Sequence, residues 1–363
     1  MKRVRSGIIG TGFIGGVHAR AVQAAGGVLA SVADVSPEAA AESMHRLGAE
    51  RFAASAADLI RADDIDVVHI CTPNHLHDSL ARLAIAAGKH VICEKPLATD
   101  ASSAAGLVEE AQAAGVVTAV PFVYRFYPSV RDARQRVRTG ETGPIRVLHG
   151  SYLQDWLVST EDTNWRVDPA LGGSSRAFGD IGVHWCDLIE FVSGHRIVRL
   201  TARLLTANAQ RAAVGGKAAV HTEDCAAVTF ETDQGALGSV MLSQVTHGRK
   251  NRLWFSIDGA EASLSFDQEV PESLWIGRRQ QNTVILRGSV PAGSDVDRYN
   301  VLPAGHPQGY QDCFNAFVTD VYAATAGQAP DGLPTFVDGH RAAVLTAAVL
   351  ASASSGQWAE IPQ

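Results

Sequence analysis

Short apolar runs and helical stretches alternate along the first ~120 residues, and that alternation is what most narrows the possible folds. The runs RSGIIG, GVLASVAD, DVVHICTP, HVICEKP and VVTAVPF read as strands. Between them, Gly15–Ala25, Pro37–Leu47, HLHDSLARLAIAAGK and Ala101–Ala114 have helical periodicity. Strand and helix in turn mean βαβ units, and strands this apolar fit a parallel sheet covered on both faces. The predicted fold class is therefore α/β, with a doubly wound domain over 1–123. After Tyr124 the rhythm changes. Helices are expected over Ser129–Arg138, around Asp180, near Tyr310–Ala326 and over Phe336–Ala353. Strand-like stretches with turn chemistry at Asp233–Gly235 and Asp258–Gly259 imply antiparallel hairpins. A second, α+β domain over 124–363 follows. VPAGSDVDRYNVLPAGHPQ reads as a long loop, a length that is often functional.

Bulk properties exclude several classes. The net charge of −7, with no Lys/Arg-rich run, argues against nucleic acid as a partner. No segment offers ~20 consecutive apolar residues, so no membrane span is expected. The first residues are too glycine-rich for a signal peptide. The five cysteines form no CxxC pair, so neither a disulfide framework nor a zinc ribbon is expected. Cys71 and Cys93 read as buried small hydrophobes, and the expected compartment is the cytoplasm.

GIIGTGFIGGVHA places Gly10-x-Gly12-x-x-Gly15 directly after a strand and at the start of a helix. Gly10 permits the tight turn, Gly12 leaves room for a pyrophosphate, and Gly15 allows close helix–strand packing. The helix N-terminus supplies N–H groups for phosphates. The second strand ends at Asp34, placed to bond a ribose 2′-hydroxyl and repel a 2′-phosphate. Val35, Ser36 and Pro37 follow, with no arginine to welcome that phosphate. NAD is expected over NADP.

Four patterns together give the chain a resemblance. They are Gly10-x-Gly12-x-x-Gly15-x-x-His18, Thr72-Pro73-Asn74-x-x-His77, Glu94-Lys95-Pro96 and Gly179-Asp180-x-Gly182-x-His184-x-x-Asp187. In this order the sequence resembles the glucose–fructose oxidoreductase/inositol dehydrogenase (Gfo/Idh/MocA) family. The resemblance implies a Rossmann domain followed by a domain with an open, mainly antiparallel sheet. In the family, that sheet's exposed face commonly makes homodimers and homotetramers. It also implies that Lys95, Asp180 and His184 surround the reacting carbinol carbon. The coenzyme set is then Gly10, Thr11, Gly12, Phe13, Ile14, Gly15, Asp34, Thr72, Pro73, Asn74, His77, Glu94 and Lys95.

The residue chemistry agrees. Hydride removal from a secondary alcohol needs a base for the hydroxyl proton and a donor for the developing alkoxide. His184 is suited to proton exchange near neutrality. Lys95, at a strand end, can steady the alkoxide or relay a proton itself. Asp180, one turn before His184, can orient the imidazole or bind a second hydroxyl. Gly182 reads as a gap that lets substrate or nicotinamide approach the backbone; otherwise Asp180 is a helix cap and His184 a core histidine. Candidate substrate contacts are Arg125, Tyr152, Asp155, Trp156, Trp165, Arg166 and His306, besides Lys95, Asp180 and His184. Indole rings beside acids and amides suit the C–H faces and hydroxyls of a polyol. Tyr310 is a candidate to close over the site with His306, Pro96 a turn residue, and His69 and His75 structural or surface positions.

The expected activity is NAD-linked oxidation of a cyclic polyol or sugar: an inositol, pyranose, anhydrosugar or glycoside. The alternatives are an NADPH-linked ketosugar reductase or diol dehydrogenase, and a non-catalytic coenzyme-gated regulator. A third has Asp180, His184 and Asp187 as metal ligands of an isomerase; too few further ligands accompany them, and no metal is expected.

Overall fold

A computed structural model describes residues 3–213, 216–289 and 293–362. The chain forms two compact units, Met1–Val123 with Tyr310–Ala343, and Tyr124–Gly309 with Val344–Gln363.

In the first unit, strands β1 (Arg5–Ile9), β2 (Val28–Ala33), β3 (Arg51–Phe52), β4 (Val67–Ile70), β5 (His90–Cys93) and β6 (Thr118–Ala119) form one parallel sheet. Its order is β3-β2-β1-β4-β5-β6. The order reverses between β1 and β4, and at such a switch point the carboxyl ends of the strands open a ligand crevice. Ser6–Ile9, Val67–Ile70 and Val91–Cys93 are buried, as strands sandwiched by helices must be. Local chemistry sets the helix ends. Ser36 Oγ accepts from the Ala39 amide (3.3 Å), Pro37 fills the first turn, and Gly48 closes the helix with φ 72°. Asp100 caps Ala101–Ala114 by accepting from the Ser103 amide at 2.8 Å.

The assignment of everything after 124 to one domain needs a correction, because 310–343 belong to the first unit. The helix Tyr310–Thr325 buries Phe314, Phe317, Val318 and Val321. Phe314 meets His18 edge-on at 5.0 Å, and Gln311 Nε2 donates to the Val17 carbonyl at 3.1 Å. An apolar stripe predicts that a helix is covered, not which element covers it.

The second unit is built on nine strands: β7 (Ile145–Leu153), β8 (Ile197–Leu205), β11 (Cys225–Thr232), β12 (Leu237–Ser243), β13 (Arg252–Gly259), β14 (Ser263–Asp267), β15 (Ser273–Gly277), β16 (Asn282–Leu286) and β17 (Ala359–Glu360). β9 (Gln210–Ala213) and β10 (Gly216–Ala219) make a separate ribbon. The large sheet runs β16-β15-β14-β13-β7-β12-β11-β8-β17. It is mixed, since β12 pairs β7 in parallel while its other pairs are antiparallel. One face packs on helix Val183–Ser193, whose Trp185 donates to the Trp254 carbonyl at 2.9 Å. On the strands, buried and more open positions alternate, and Val147, Leu237 and Met241 are 39%, 52% and 50% exposed.

Of the expected long loop, 290–292 lie outside the described residues. The rest contains a short helix, Ser294–Asp297, and is gathered around buried Arg287. That guanidinium donates to Glu272 (2.8 Å) and to the carbonyls of Leu302 (2.8 Å) and His306 (2.7 Å). Among the described residues, no helix is long and apolar enough to cross a membrane.

Candidate active site

β1 runs into the glycine loop, and helix Phe13–Ala24 starts at once. Gly10 has φ +89°, and a Cβ there would lie 2.6 Å from the Cys71 carbonyl oxygen. A Cβ on Gly15 would lie 2.2 Å from the Gly10 carbonyl oxygen. At Gly12 an added Cβ meets nothing within 4 Å, and Gly12 caps the helix without a side-chain acceptor. The loop therefore presents open space above amide groups. Ile14 packs against the core beneath, while Phe13 is exposed.

Asp34, at the end of β2, accepts from the amides of Thr11 (2.9 Å) and Val35 (2.7 Å) and from the Thr11 hydroxyl. Burial pushes its carboxyl up, but these bonds and the nearby Arg46 outweigh it and hold the pKa below the usual range. Arg46 Nη2 donates to the Thr11 carbonyl at 2.7 Å and to Ser43 Oγ at 3.1 Å. The three residues after Asp34 hold no arginine, as expected, but one reaches the corner from elsewhere. Arg46 comes from the last turn of Pro37–Leu47, well beyond the three residues after Asp34.

β4 leads into Thr72, Pro73 and Asn74. Thr72 Oγ1 is buried and has no hydrogen-bond partner among the described residues. The His77 ring lies between two carbonyls, with Nδ1 2.7 Å from Pro96 O and Nε2 2.9 Å from Thr72 O. Burial lowers its pKa against the pull of both carbonyls. His77 thereby ties the Thr72 turn to the turn after Lys95. Glu94, at the end of β5, is buried; it takes the Lys95 amide (3.2 Å) and faces His18 Nε2 (3.1 Å). Burial raises its pKa, but His18 and Lys95 bring the net shift below the usual value. Lys95 is half-buried, and its peptide bond to Pro96 is cis. The open cradle over Gly12, the acid ending β2 and the orphaned Thr72 hydroxyl fit a dinucleotide.

In the second unit, Asp180 sits in a π-helical turn, Phe178–Gly182, that feeds Val183–Ser193. Glu223 anchors that turn by accepting from Ser175 Oγ (2.7 Å) and the amides of Arg176 (3.0 Å) and Phe178 (2.9 Å). Asp180 Oδ2 accepts from Gln244 Nε2 at 2.8 Å, and its other oxygen is 3.4 Å from Arg166 Nε. The Gln244 amide is buried and directed by Arg176, which donates to Oε1 at 3.2 Å. Arg176 in turn pairs with buried Asp224. His184, one turn on and buried, meets the Tyr124 ring edge-on at 5.1 Å. The hydroxyls of Tyr124 and Tyr152 bond each other, and Tyr152 donates to Asn251 Oδ1 at 2.8 Å.

The gap proposed at Gly182 is closed by protein. A Cβ there would lie 2.6 Å from both Leu242 Cδ1 and Phe178 Cδ2. The glycine serves core packing, not ligand approach. Arg125 is also otherwise engaged: it pairs with Asp187 (Nε–Oδ2 2.8 Å) and lies 4.8 Å over the Phe191 ring. Asp155 pairs with exposed Lys250 at 2.7 Å, and Trp156 donates to Gln154 at 2.7 Å. Arg166 lies 4.4 Å over Trp165 and beside Asp180, so these two do join the Asp180 cluster. His306 is exposed, its carbonyl held by Arg287; Tyr310 lies in the first unit. His75 is exposed, whereas His69 is fully buried. Arg46, Gln244, Glu223, Tyr124 and Asn251 went unpredicted, since each reaches its cluster from a remote segment without a motif around it.

A model of the oxidoreductase family with an NAD-binding Rossmann fold (GFO_IDH_MocA) matches residues 4–122, and one of the GFO/IDH/MocA C-terminal domain matches 130–265. Levoglucosan dehydrogenase of Pseudarthrobacter phenanthrenivorans is 31% identical over 100% of this chain and 99% of its own length. Inositol 2-dehydrogenase of Rhizobium meliloti is 28% identical over 75% of this chain and 78% of its own. A solved levoglucosan dehydrogenase in complex with NADH and levoglucosan superposes with a TM-score of 0.93 at 30% identity, covering 100% of both chains.

Proposed function

The chain belongs to the Gfo/Idh/MocA oxidoreductase family and is an NAD-dependent sugar or polyol dehydrogenase; from that premise we propose that its substrate is an anhydrosugar, with Lys95, Asp180 and His184 as the catalytic residues. The full-length likeness to a levoglucosan dehydrogenase carries this reading. Bound NAD supplies the hydride acceptor. Gly10, Gly12 and Gly15 hold its pyrophosphate against the helix N-terminus, and Asp34 takes the ribose hydroxyls. His184 accepts the carbinol proton, and the Lys95 ammonium steadies the oxygen as negative charge develops. Asp180, with Gln244 and Arg166 fixing its two oxygens, binds a neighbouring hydroxyl and keeps the substrate in register. Trp165 and Arg166 supply an apolar face and a donor beside it.

The exposed residues of the nine-stranded sheet support a homo-oligomer formed through that face. The five free thiols support a reducing, cytoplasmic compartment. The test is NAD reduction with levoglucosan set against myo-inositol, D-apiose and simple glycosides. The highest kcat/KM is expected with the anhydrosugar; a preference for an inositol would overturn the substrate assignment. Lys95→Ala is expected to keep NAD affinity while kcat falls by about 10²–10⁴-fold. Unchanged turnover would remove Lys95 from the reaction.

A further inference from the structure

The interior of the first unit holds a line of hydrogen bonds that the proposed reaction does not use. It links Tyr322 OH to Ser6 Oγ (2.7 Å), Ser6 Oγ to His69 Nε2 (3.2 Å), His69 Nδ1 to His18 Nδ1 (2.9 Å) and His18 Nε2 to Glu94 Oε1 (3.1 Å). Ser6, His18 and His69 are fully buried, and Glu94 and Tyr322 nearly so. With neutral rings, one assignment of protons serves every bond. A carboxylate only accepts, so His18 carries its proton on Nε2. Its Nδ1 is then a lone pair, and His69 Nδ1–H must donate to it. His69 Nε2 accepts from Ser6, and Ser6 accepts from Tyr322. Every donor points toward Glu94.

We propose that Tyr322, Ser6, His69 and His18 form a relay of fixed polarity that positions Glu94 and, through it, the Lys95 end of β5. One hydrogen bond from His18 would satisfy Glu94 Oε1. What His69 adds is the exclusion of the other His18 tautomer, which would turn a lone pair on the carboxylate. An orienting partner on the far nitrogen fixes an imidazole tautomer in this way, and in a dry interior the wrong one is costly. Glu94 thereby stays a carboxylate inside the protein, and its second oxygen holds the Lys95 amide at 3.2 Å. The charged or titratable neighbours of Glu94 are His18, Lys95, His77 and the buried thiols of Cys71 and Cys93, and His18 is that of His69. The effect on turnover rests on the proposed role of Lys95; the polarity of the relay does not.

Two-bond ¹H–¹⁵N spectra of the full-length protein labelled with ¹⁵N-histidine test the polarity, with assignments from His18→Gln and His69→Gln. His18 is expected as the neutral Nε2–H tautomer and His69 as the neutral Nδ1–H tautomer. His69 protonated on Nε2, or either ring charged at neutral pH, overturns the relay. In kinetics, His69→Leu should lower kcat about tenfold, the upper scale of losing one buried hydrogen bond between neutral groups, with KM for NAD unchanged. His69→Asn, whose amide nitrogen takes the place of Nδ1 and still donates to His18, should restore most of it. A His69→Leu enzyme with parental kcat overturns the positioning role; if that variant does not fold, the parental spectra decide alone. Parental tautomers as expected alongside a fully active Lys95→Ala enzyme would leave the relay standing and end the Lys95 assignment.

Discussion

At the end of β2 a carboxylate and a guanidinium share one corner: Asp34 takes the Thr11 amide while Arg46 donates to the Thr11 carbonyl. Asp34 disfavours a 2′-phosphate by charge, and Arg46 would favour one. Asp34→Ser is therefore expected to move the ratio of kcat/KM for NADP over NAD upward by about 10²-fold, on the scale of a hydrogen bond to a charged group. Adding Arg46→Ala should abolish the gain with NADP. Steady-state kinetics with both coenzymes check this, and an unchanged ratio in Asp34→Ser would refute it. Residues whose backbone does the work, such as Gly10 and Gly15, were legible because a local pattern encodes a local geometry. Arg46 and Gln244 were not, because what each touches depends on how separate elements pack.

At the scale of elements, boundaries written in caps and turns were readable: Pro37–Leu47 and Ala101–Ala114 have the expected limits, and a turn at Asp233–Gly235 joins β11 to β12. The parallel β7–β12 pair was not, since nothing local specifies a non-adjacent partner. The helix bearing Asp180 and His184 shows the same limit. Its spacing was visible, but the π turn and the reason for Gly182 depend on Phe178 and on Leu242 from β12. Gly182→Ala would gain helix propensity yet press a methyl into both side chains. Overpacking typically costs about 1–3 kcal/mol, more than the roughly 1 kcal/mol that alanine returns. A lower thermal midpoint with unchanged NAD affinity is expected, by calorimetry and fluorescence titration. A stabilised variant with weakened substrate binding would return Gly182 to the ligand.

At the scale of the whole molecule, buried imidazoles set how the protein responds to acid, and an open sheet face is the surface proposed for association. Burial holds the pKa of His69 well below its ordinary value, helped by His18, and burial also lowers that of His77. As pH falls through about 6.5, the unfolded chain takes up protons that the folded chain refuses, so stability is full above that pH and lost below it. Asp64, held at about 2 chiefly by Arg51, and Asp100, held at about 2 by Ser102 and Ser103, add a second loss between about pH 4 and 2. The thermal midpoint should be flat from pH 8 to 7 and fall from 6.5 to 5; a level or rising midpoint in that range contradicts the assignment. The proposed association uses the other, open face of the nine-stranded sheet. Nine strands about 4.8 Å apart and on average about six residues long present roughly 900 Å², enough for the ~800 Å² per partner of a stable interface. Leu237 and Val147 are register neighbours there, with Met241 on the same open face. Replacing Leu237 and Met241 together by lysine places two charges in the middle of that face while sparing the buried side, so each substitution alone should change stability by no more than about 0.5 kcal/mol. Sedimentation velocity should show an oligomer for the parent and a folded monomer for the variant. Equal masses for the two would overturn association through this face.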